Sequence, residues 1–326
     1  MRNRIIVPPM ATAKADDQGL VTDALVDHYR LLAWGGAAMV IVEHAYVVAA
    51  GRLRQRQLSV CDDACIPGLE QVAREIRDAG ALAVLQLNHA GSRAPLAVTG
   101  VTSRGASGIP VPGDFEAPLP MSTLEIEDIS RLFGEAAARA AAAGFHGVEV
   151  HGAHGYLLNE FASPYTNRRS DQYGGDAEGR LRLPCEVLSA VRAVLGGDAP
   201  LLYRFGCDDG LDTTLGQGLT SALAAQMAPS LAACGVDLLD CSGGLCGSRP
   251  PGPTTQGYFI PAAALIRKAV TVPVAGVGGI TEPAYAERVV REGLVDAVCV
   301  GRAHLADPGW AGRALATLAS DLSAPA

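Results

Sequence analysis

The amino-acid sequence predicts an α/β fold, a single (β/α)8 TIM barrel that covers residues 1–326. Short apolar runs alternate along the chain with longer segments whose apolar residues recur at the helical period. Most of the short runs are apolar throughout, which is typical of parallel strands buried on both faces. The alternation counts to eight strand–helix units without a doubled strand or a linker, and this count favours closure into a barrel.

Each of the eight units can be placed on the chain. The predicted strands cover residues 4–7, 38–43, 81–87, 147–151, 200–205, 236–241, 272–277 and 295–300. The predicted helices cover residues 23–34, 66–79, 124–143, 178–195, 219–234, 259–270, 282–292 and 308–319. Ser122 and Glu125 have the spacing of a capping box and mark the start of the third helix.

An open, doubly wound sheet is the alternative architecture. Such a sheet would carry a Gly-x-Gly-x-x-Gly turn directly after its first strand. Residues 8–12 occupy that place here and read PPMAT, which argues against a nucleotide site of that kind.

Residues 92–122 interrupt the alternation between the third strand and the third helix. They are rich in proline, glycine and serine. A loop of this length inside a compact domain is usually functional, and in a barrel it emerges at the carboxyl end of the strands, where active sites lie. We therefore expect an inserted lid or cap that shapes the substrate pocket.

Composition excludes several classes of function. The formal net charge is -8 and the arginines are interleaved with acids, so no basic stripe for nucleic acid is visible. No apolar run approaches the length of about 20 residues that a transmembrane helix needs. The apolar run at residues 5–7 is too short for the core of a signal peptide, which predicts a cytoplasmic location. The eight cysteines are expected to be reduced and packed.

Glycines follow the seventh and eighth predicted strands, at two neighbouring loops of a barrel. Gly278 and Gly279 follow the seventh strand, and Gly301 and Arg302 follow the eighth. Glycine lets backbone N–H groups approach a phosphate closely, and these are the loops where barrels commonly bind one. A guanidinium adds a charge-assisted contact. The pattern predicts a ligand that carries a phosphate, although glycines can also serve only to allow tight turns.

The end of the fourth strand carries a cluster of polar rings. His151, His154 and Tyr156 lie within a turn punctuated by glycine. Two imidazoles can hold one oxygen and stabilise the negative charge that develops on it, and a phenol can donate a proton. The histidines could instead be ligands of one metal, although no third ligand is obvious, or they could be structural.

These motifs resemble the old yellow enzyme family of FMN-dependent ene-reductases, which is similar to the barrel domain of 2,4-dienoyl-CoA reductase. The resemblance covers nearly the whole chain. It rests on residues 86–91 (QLNHAG), 151–164 (HGAHGYLLNEFASP), 167–175 (NRRSDQYGG), 301–302 (GR) and 307–308 (DP). The segment from the fourth strand through residue 175 is the most specific part.

The resemblance implies an FMN site. The matching positions are Pro9, Met10, Ala11, Gln86, Arg204, Gly278, Gly301 and Arg302. The first three correspond to backbone that lines the flavin ring, and the last three correspond to the phosphate site. Gln86 corresponds to the glutamine at the flavin pyrimidine edge. Arg204 corresponds to the cation beside flavin N1 and O2, which stabilises the reduced flavin.

The resemblance also implies a reaction. NADH or NADPH would reduce the flavin, and flavin N5 would then pass hydride to the activated double bond of an enone-like small molecule. His151 and His154 would hold the carbonyl oxygen, and Tyr156 would supply the proton. No metal is implied. The cysteine cluster and nucleotide domains that follow the barrel in the dienoyl-CoA reductases do not occur in these residues, so we expect the nicotinamide to reach the flavin directly.

Two alternatives remain open from sequence. One is a lyase or isomerase without redox chemistry that acts on a phosphorylated substrate, and the other is a flavoprotein that senses without turnover. The natural substrate, the choice between NADH and NADPH, the physiological direction and homo-oligomer formation also stay open. His44 stands near the expected flavin position, and the sequence assigns it no role.

Ala11 departs from the family pattern, in which Cys or Thr often contacts flavin O4. Alanine cannot donate that hydrogen bond, so we expect a lower flavin reduction potential than in relatives that carry Cys or Thr. Ala11→Thr should raise the midpoint potential of the bound flavin, measured by spectroelectrochemical titration against a reference dye. A potential equal to that of the parent protein would refute this role.

Overall fold

A computed structural model describes residues 1–114, 116–211 and 218–323 of the chain. Its strands are β1 (Ile5–Val7), β2 (Met39–Tyr46), β3 (Leu82–Asn88), β4 (Arg104–Gly105), β5 (Leu119–Pro120), β6 (Gly147–Gly152), β7 (Leu201–Gly206), β8 (Leu238–Ser242), β9 (Val274–Val277) and β10 (Ala297–Cys299). Eight of them, all except β4 and β5, form a closed barrel in the order β1-β2-β3-β6-β7-β8-β9-β10. Neighbouring strands are parallel, so the predicted barrel is confirmed.

Helices follow the barrel strands. They are α1 (Asp23–Trp34), α2 (Ile66–Asp78), α3 (Leu96–Thr99), α4 (Thr123–Ala142), α5 (Leu157–Ala162), α6 (Ala177–Leu195), α7 (Ser221–Ala233), α8 (Ile260–Ala269), α9 (Pro283–Arg291), α10 (Arg302–Ala306) and α11 (Trp310–Ser323). The predicted capping box is present, because Ser122 and Glu125 exchange hydrogen bonds at the start of α4. The short helices α3, α5 and α10 were not predicted, because a segment of four to six residues is too short to show the helical periodicity of apolar residues.

Side chains alternate along the parallel strands and divide the core into two apolar layers. Ile6, Ile41, Val84 and Leu202 belong to a small cluster inside the barrel. Their neighbours in sequence point outward and pack in the larger cluster beneath the helices.

The interior becomes polar toward the carboxyl ends of the strands. Gln86 and Arg204 each lie two residues beyond a member of the inner apolar cluster, so the period of two keeps both inside the barrel. Glu149 pairs in register with Gln86, and Asp240 pairs with Arg204. All four residues are buried. The fold therefore places charged groups at the centre of the barrel, directly below its open end.

The segment 92–122 has structure of its own. It contains α3 and a small sheet in which β4 and β5 pair in parallel. Arg93 donates a hydrogen bond to the His154 carbonyl, with 3.2 Å between the two atoms, so the segment lies next to the turn after β6. Its function as a lid over the substrate stays a prediction.

Two further observations concern the described ranges. None of the helices there is both long and apolar enough to cross a membrane. All eight cysteines are free thiols, and Cys207, Cys241 and Cys299 are buried in the barrel wall.

The start of β6 offers a test of the packing. A Cβ atom at Gly147 would lie 2.0 Å from the Pro200 carbonyl oxygen, and backbone cannot move away cheaply. We expect Gly147→Ala to lower the free energy of unfolding by about 1–3 kcal/mol, as overpacking does. Gly197→Ala is the matched control, because a Cβ atom at that position would meet nothing within 4 Å. Denaturant titrations of both variants, monitored by circular dichroism, would contradict this account if they coincided.

Candidate active site

A cavity of about 360 Å³ opens at the carboxyl ends of the barrel strands. Eleven of the residues predicted from the sequence line it: Pro9, Met10, Ala11, Gln86, His151, His154, Tyr156, Arg204, Gly279, Gly301 and Arg302. Gly278 does not line it. Among the described residues, the cavity is also lined by Pro8, His44, Arg54, Ser248, Arg249, Tyr258 and Val277.

His151 and His154 lie side by side at the end of β6. Their ring centroids are 5.0 Å apart and the rings meet edge to face. His151 Nδ1 accepts a hydrogen bond from the Ala153 N–H at 3.3 Å, so the proton of the neutral ring is on Nε2. His154 Nε2 is 2.8 Å from the Ser242 hydroxyl oxygen. The backbone of His154 has φ 61°, in the left-handed region. Residues other than glycine are uncommon there and are held in place by their surroundings.

Both imidazoles are neutral. Burial lowers the pKa of His151 well below its ordinary value, and the neighbouring His154, His44 and Arg204 lower it further. Burial likewise lowers the pKa of His154, with Arg204 as the next cause. Two neutral rings beside a cation can bind an oxygen without bringing further positive charge into the site.

Tyr156 stands beside these rings at the turn before α5. Its ring centroid is 5.0 Å from that of His151. Burial raises the pKa of the Tyr156 hydroxyl, and the nearby Arg93 and Arg54 oppose that shift only in part. The phenol therefore keeps its proton at neutral pH and is able to donate it.

His44 is the functional neighbour that the sequence left unexplained. Its ring stacks on Tyr156 with centroids 5.6 Å apart and an angle of 19° between the planes. Its Nδ1 lies 3.1 Å from the side-chain amide nitrogens of both Gln57 and Asn88. Because burial lowers the pKa of His44 to about 3, the ring is neutral and Nδ1 accepts from these amides. His44 thus supports the tyrosine ring, and the extension of β2 to Tyr46 is what carries it into the site.

Four buried side chains form the floor of the cavity. Arg204 Nη1 is 2.8 Å from Asp240 Oδ2, and Gln86 Nε2 donates to Glu149 Oε2 at 2.7 Å. The other carboxyl oxygen of Glu149, Oε1, is buried and has no hydrogen-bond partner within the protein. Burial, followed by the negative charge of Asp240, raises the pKa of Glu149 well above its ordinary value. Glu149 therefore keeps its proton, and Arg204 forms a salt bridge with Asp240.

Glycine loops form the opposite end of the cavity. Gly279 has φ 65°, and a Cβ atom there would lie 2.6 Å from Arg302 Nη2. Arg302 Nη2 donates to the Tyr258 hydroxyl at 2.9 Å. A Cβ atom at Gly278 would lie 2.6 Å from the Tyr258 backbone nitrogen, so glycine there permits close contact between two loops. Bare backbone and a guanidinium thus meet at one spot, as a phosphate site requires.

The loop after β1 is held against β2. Thr12 donates from its N–H to Glu43 Oε2 at 2.5 Å and from its hydroxyl to Glu43 Oε1 at 2.6 Å. These two bonds position Met10 and Ala11, which precede Thr12 and line the cavity.

The donor set fits FMN. Arg204 lines the cavity, and its buried Nε has no hydrogen-bond partner within the protein. A buried donor without a partner is costly, and a ligand heteroatom can satisfy it. At the other end, the glycine backbone and Arg302 suit the phosphate. Among the described residues, no group of three or more His, Cys, Asp or Glu side chains is arranged to hold a metal ion.

Comparison with known proteins agrees with this site. The chain matches the NADH:flavin oxidoreductase / NADH oxidase family over residues 1–321. It is 39% identical over 318 residues to an NADH oxidase of Thermoanaerobacter brockii, a match that covers 95% of this chain and 48% of that protein. It is 35% identical over 330 residues to an NADPH dehydrogenase of Bacillus licheniformis, a match that covers 100% of this chain and 93% of that protein. The chain thus spans about half the length of the first relative and nearly all of the second.

Solved structures are similar over almost the whole chain. A 2-naphthoyl-CoA reductase in complex with 2-naphthoyl-CoA has a TM-score of 0.90 and 26% identity, and the match covers 97% of this chain and 50% of that one. An old yellow enzyme homologue from Zymomonas mobilis has a TM-score of 0.84 and 25% identity, with 97% and 89% covered.

The family match and these relatives support both cofactors, FMN and NAD(P)H. The chain belongs to the NADH:flavin oxidoreductase / NADH oxidase family, the FMN-dependent NAD(P)H oxidoreductases of the old yellow enzyme type.

Proposed function

We propose that this protein uses NAD(P)H to reduce the activated carbon–carbon double bond of an α,β-unsaturated carbonyl or related small molecule. One observation carries the proposal: a protonated phenol, Tyr156, lies next to a pair of neutral imidazoles in a cavity whose floor presents the Arg204 guanidinium. This arrangement supplies a proton donor and an oxygen-binding group at the same place. When bound, FMN supplies the hydride transfer that links the nicotinamide to the acceptor.

His151 and His154 bind the oxygen of the acceptor. His151 offers an N–H from Nε2, because its Nδ1 is occupied by the Ala153 N–H. As hydride reaches the β-carbon, negative charge moves onto the oxygen, and fixed donors in a buried site stabilise that charge in the transition state. Neither ring has to change its protonation state.

Tyr156 completes the reduction by protonating the α-carbon. Its hydroxyl keeps the proton until the acceptor becomes basic, because burial raises its pKa. His44 stacks on the ring and limits the positions that the hydroxyl can take. The overall reaction adds one hydride and one proton across the double bond.

Five residues are assigned to FMN binding: Gln86, Arg204, Gly279, Gly301 and Arg302. Gln86 Nε2 is held by Glu149, which leaves the carboxamide oxygen as the group available to a ligand N–H. Arg204 places positive charge at the floor of the cavity, and this charge would stabilise the reduced form of a bound flavin. Gly279, Gly301 and Arg302 take the phosphate.

The two alternatives to an ene-reductase, a lyase or isomerase and a flavoprotein that only senses, have less support. Membership of an FMN oxidoreductase family argues against a lyase or isomerase without redox chemistry. A flavoprotein that only senses would not need a proton donor over the acceptor position, and Tyr156 is that donor. The test of function is therefore a test of this hydroxyl.

Tyr156→Phe should separate the two half-reactions. Loss of a general acid costs about 10²- to 10⁴-fold, so acceptor reduction should slow by that factor while reduction by NAD(P)H changes little. Stopped-flow absorbance of the flavin measures both steps, with cyclohexenone as acceptor. Tyr165→Phe is the control, because Tyr165 does not line the cavity. Equal slowing of both steps would contradict the proton-donor role.

The pKa shifts predict a flat pH profile for acceptor reduction. The pKa of each of His151 and His154 is lowered, so both rings stay neutral above their ordinary pKa, and the pKa of Tyr156 is raised, so its hydroxyl stays protonated below about pH 10. We expect the rate constant of this step to be constant between about pH 6.5 and 9. An inflection near pH 6.5 would instead indicate that a histidine must titrate.

A further inference from the structure

The cavity is strongly cationic in an acidic protein. The chain has 34 acidic and 26 basic residues, excluding histidine. Among the described residues, the cavity lining contains Arg54, Arg204, Arg249 and Arg302 but no Asp or Glu. Such a reversal of sign attracts anions to the mouth. Each of these arginines can bind an anion, and its neighbours indicate which one.

Three of these arginines have assigned surroundings. Arg204 is paired with Asp240 beneath the cavity. Arg302 donates to the Tyr258 hydroxyl, which in turn donates to the Ser248 carbonyl oxygen at 3.0 Å. Arg249 follows Ser248 directly, so it belongs to the same end of the cavity as the glycine loops. The cofactor phosphate accounts for that end.

Arg54 lies at the other end. Arg54 and Tyr156 line the same cavity, the guanidinium is near enough to lower the pKa of the Tyr156 hydroxyl, and Tyr156 stacks on His44. Two hydrogen bonds of Gln57 fix the surrounding loop. The Leu53 N–H donates to Gln57 Oε1 at 2.7 Å, and Gln57 Nε2 donates to His44 Nδ1. Arg54 is therefore an exposed side chain on a loop that is tied to the catalytic rings.

No acid forms a salt bridge with Arg54 in the described ranges, although its charge lowers the pKa of the nearby Glu43. The salt bridges found there do not include it. The acid adjacent to the site is Glu43, and both of its carboxyl oxygens accept hydrogen bonds from Thr12. A guanidinium that lines the same cavity as the proton donor and forms no salt bridge is available to a ligand.

We propose that Arg54 binds an anionic group of the acceptor, a carboxylate or phosphate, and that the preferred substrate is an activated alkene that carries such a group. This inference rests on the proposed function. The planar guanidinium forms paired hydrogen bonds with a carboxylate or phosphate. The anion would lie beside Tyr156, within a few bonds of the carbon that receives the proton. The anion itself is unchanged by the reaction, in which NAD(P)H is oxidised and the double bond becomes a single bond.

The experiment uses a matched pair of acceptors, 4-oxopent-2-enoate and its methyl ester, with the FMN-loaded protein. Charge-assisted hydrogen bonds contribute enough that Arg54→Gln should lower the ratio of kcat/KM for the carboxylate to that for the ester by about ten- to a hundredfold. The loss should be mainly in KM. Arg54→Lys should restore most of the ratio, and Arg74→Gln, an exposed arginine outside the cavity, should leave it unchanged.

Binding supplies a second readout that does not depend on turnover. The dissociation constant of 4-oxopentanoate, the saturated product, is measured from the change in flavin absorbance. Arg54→Gln should weaken binding of this carboxylate by the same factor and leave binding of its methyl ester unchanged. The affinity for NAD(P)H should also be unchanged, which distinguishes the anion of the acceptor from the phosphates of the donor.

The outcomes separate the inference from the function it rests on. An unchanged carboxylate-to-ester ratio, or a loss of affinity for NAD(P)H in place of 4-oxopentanoate, overturns the role of Arg54 while reduction of the ester still supports the function. If neither acceptor is reduced, the proposed function fails. The binding of 4-oxopentanoate then still decides whether Arg54 recognises an anion.

Discussion

The buried ion pair between Arg204 and Asp240 is the interaction on which the site depends. A guanidinium at the centre of a barrel is tolerated only with a counter-charge and hydrogen bonds, since an unpaired buried charge is strongly destabilising. Asp240 on the neighbouring strand supplies the charge, with 2.8 Å between the two groups. Glu149 would add a second negative charge, and it avoids this by keeping a proton. The floor therefore has balanced charge and still presents a guanidinium to the cavity.

Above this floor the electrostatics change. His44 and His151 are buried and His154 is half-buried, and the loss of contact with water keeps each of these rings neutral. Neutral rings can be packed together without repulsion. They offer hydrogen bonds to a ligand oxygen, and they leave the guanidinium groups as the source of positive charge around the acceptor position. Charge and hydrogen bonding are thus supplied by different residues.

The two ends of the cavity are built in different ways. The end that we assign to the phosphate consists of glycine backbone and Arg302, where the absence of side chains creates the space. The reaction end consists of rings that contact one another, with Arg54 at its edge. The first depends on conformations that glycine adopts easily, and the second on packing and a strained His154. A ligand that spans both ends would be bound by backbone groups at one end and by side chains at its reactive end.

The sequence by itself determined the barrel and most of the residues at its mouth. Continuous apolar runs report strands buried on both faces, and glycines or histidines at strand ends fall on one rim because parallel strands all end there. It did not predict α3, α5 and α10, because each is too short to show a period. Only the tertiary structure revealed that His44 stacks on Tyr156, that Gln86 donates to Glu149, and that Arg204 forms a buried salt bridge with Asp240. Each of these contacts joins residues that are far apart in the chain. A pattern along the chain indicates toward which face a side chain points, but it does not indicate which distant residue forms a hydrogen bond or salt bridge with it.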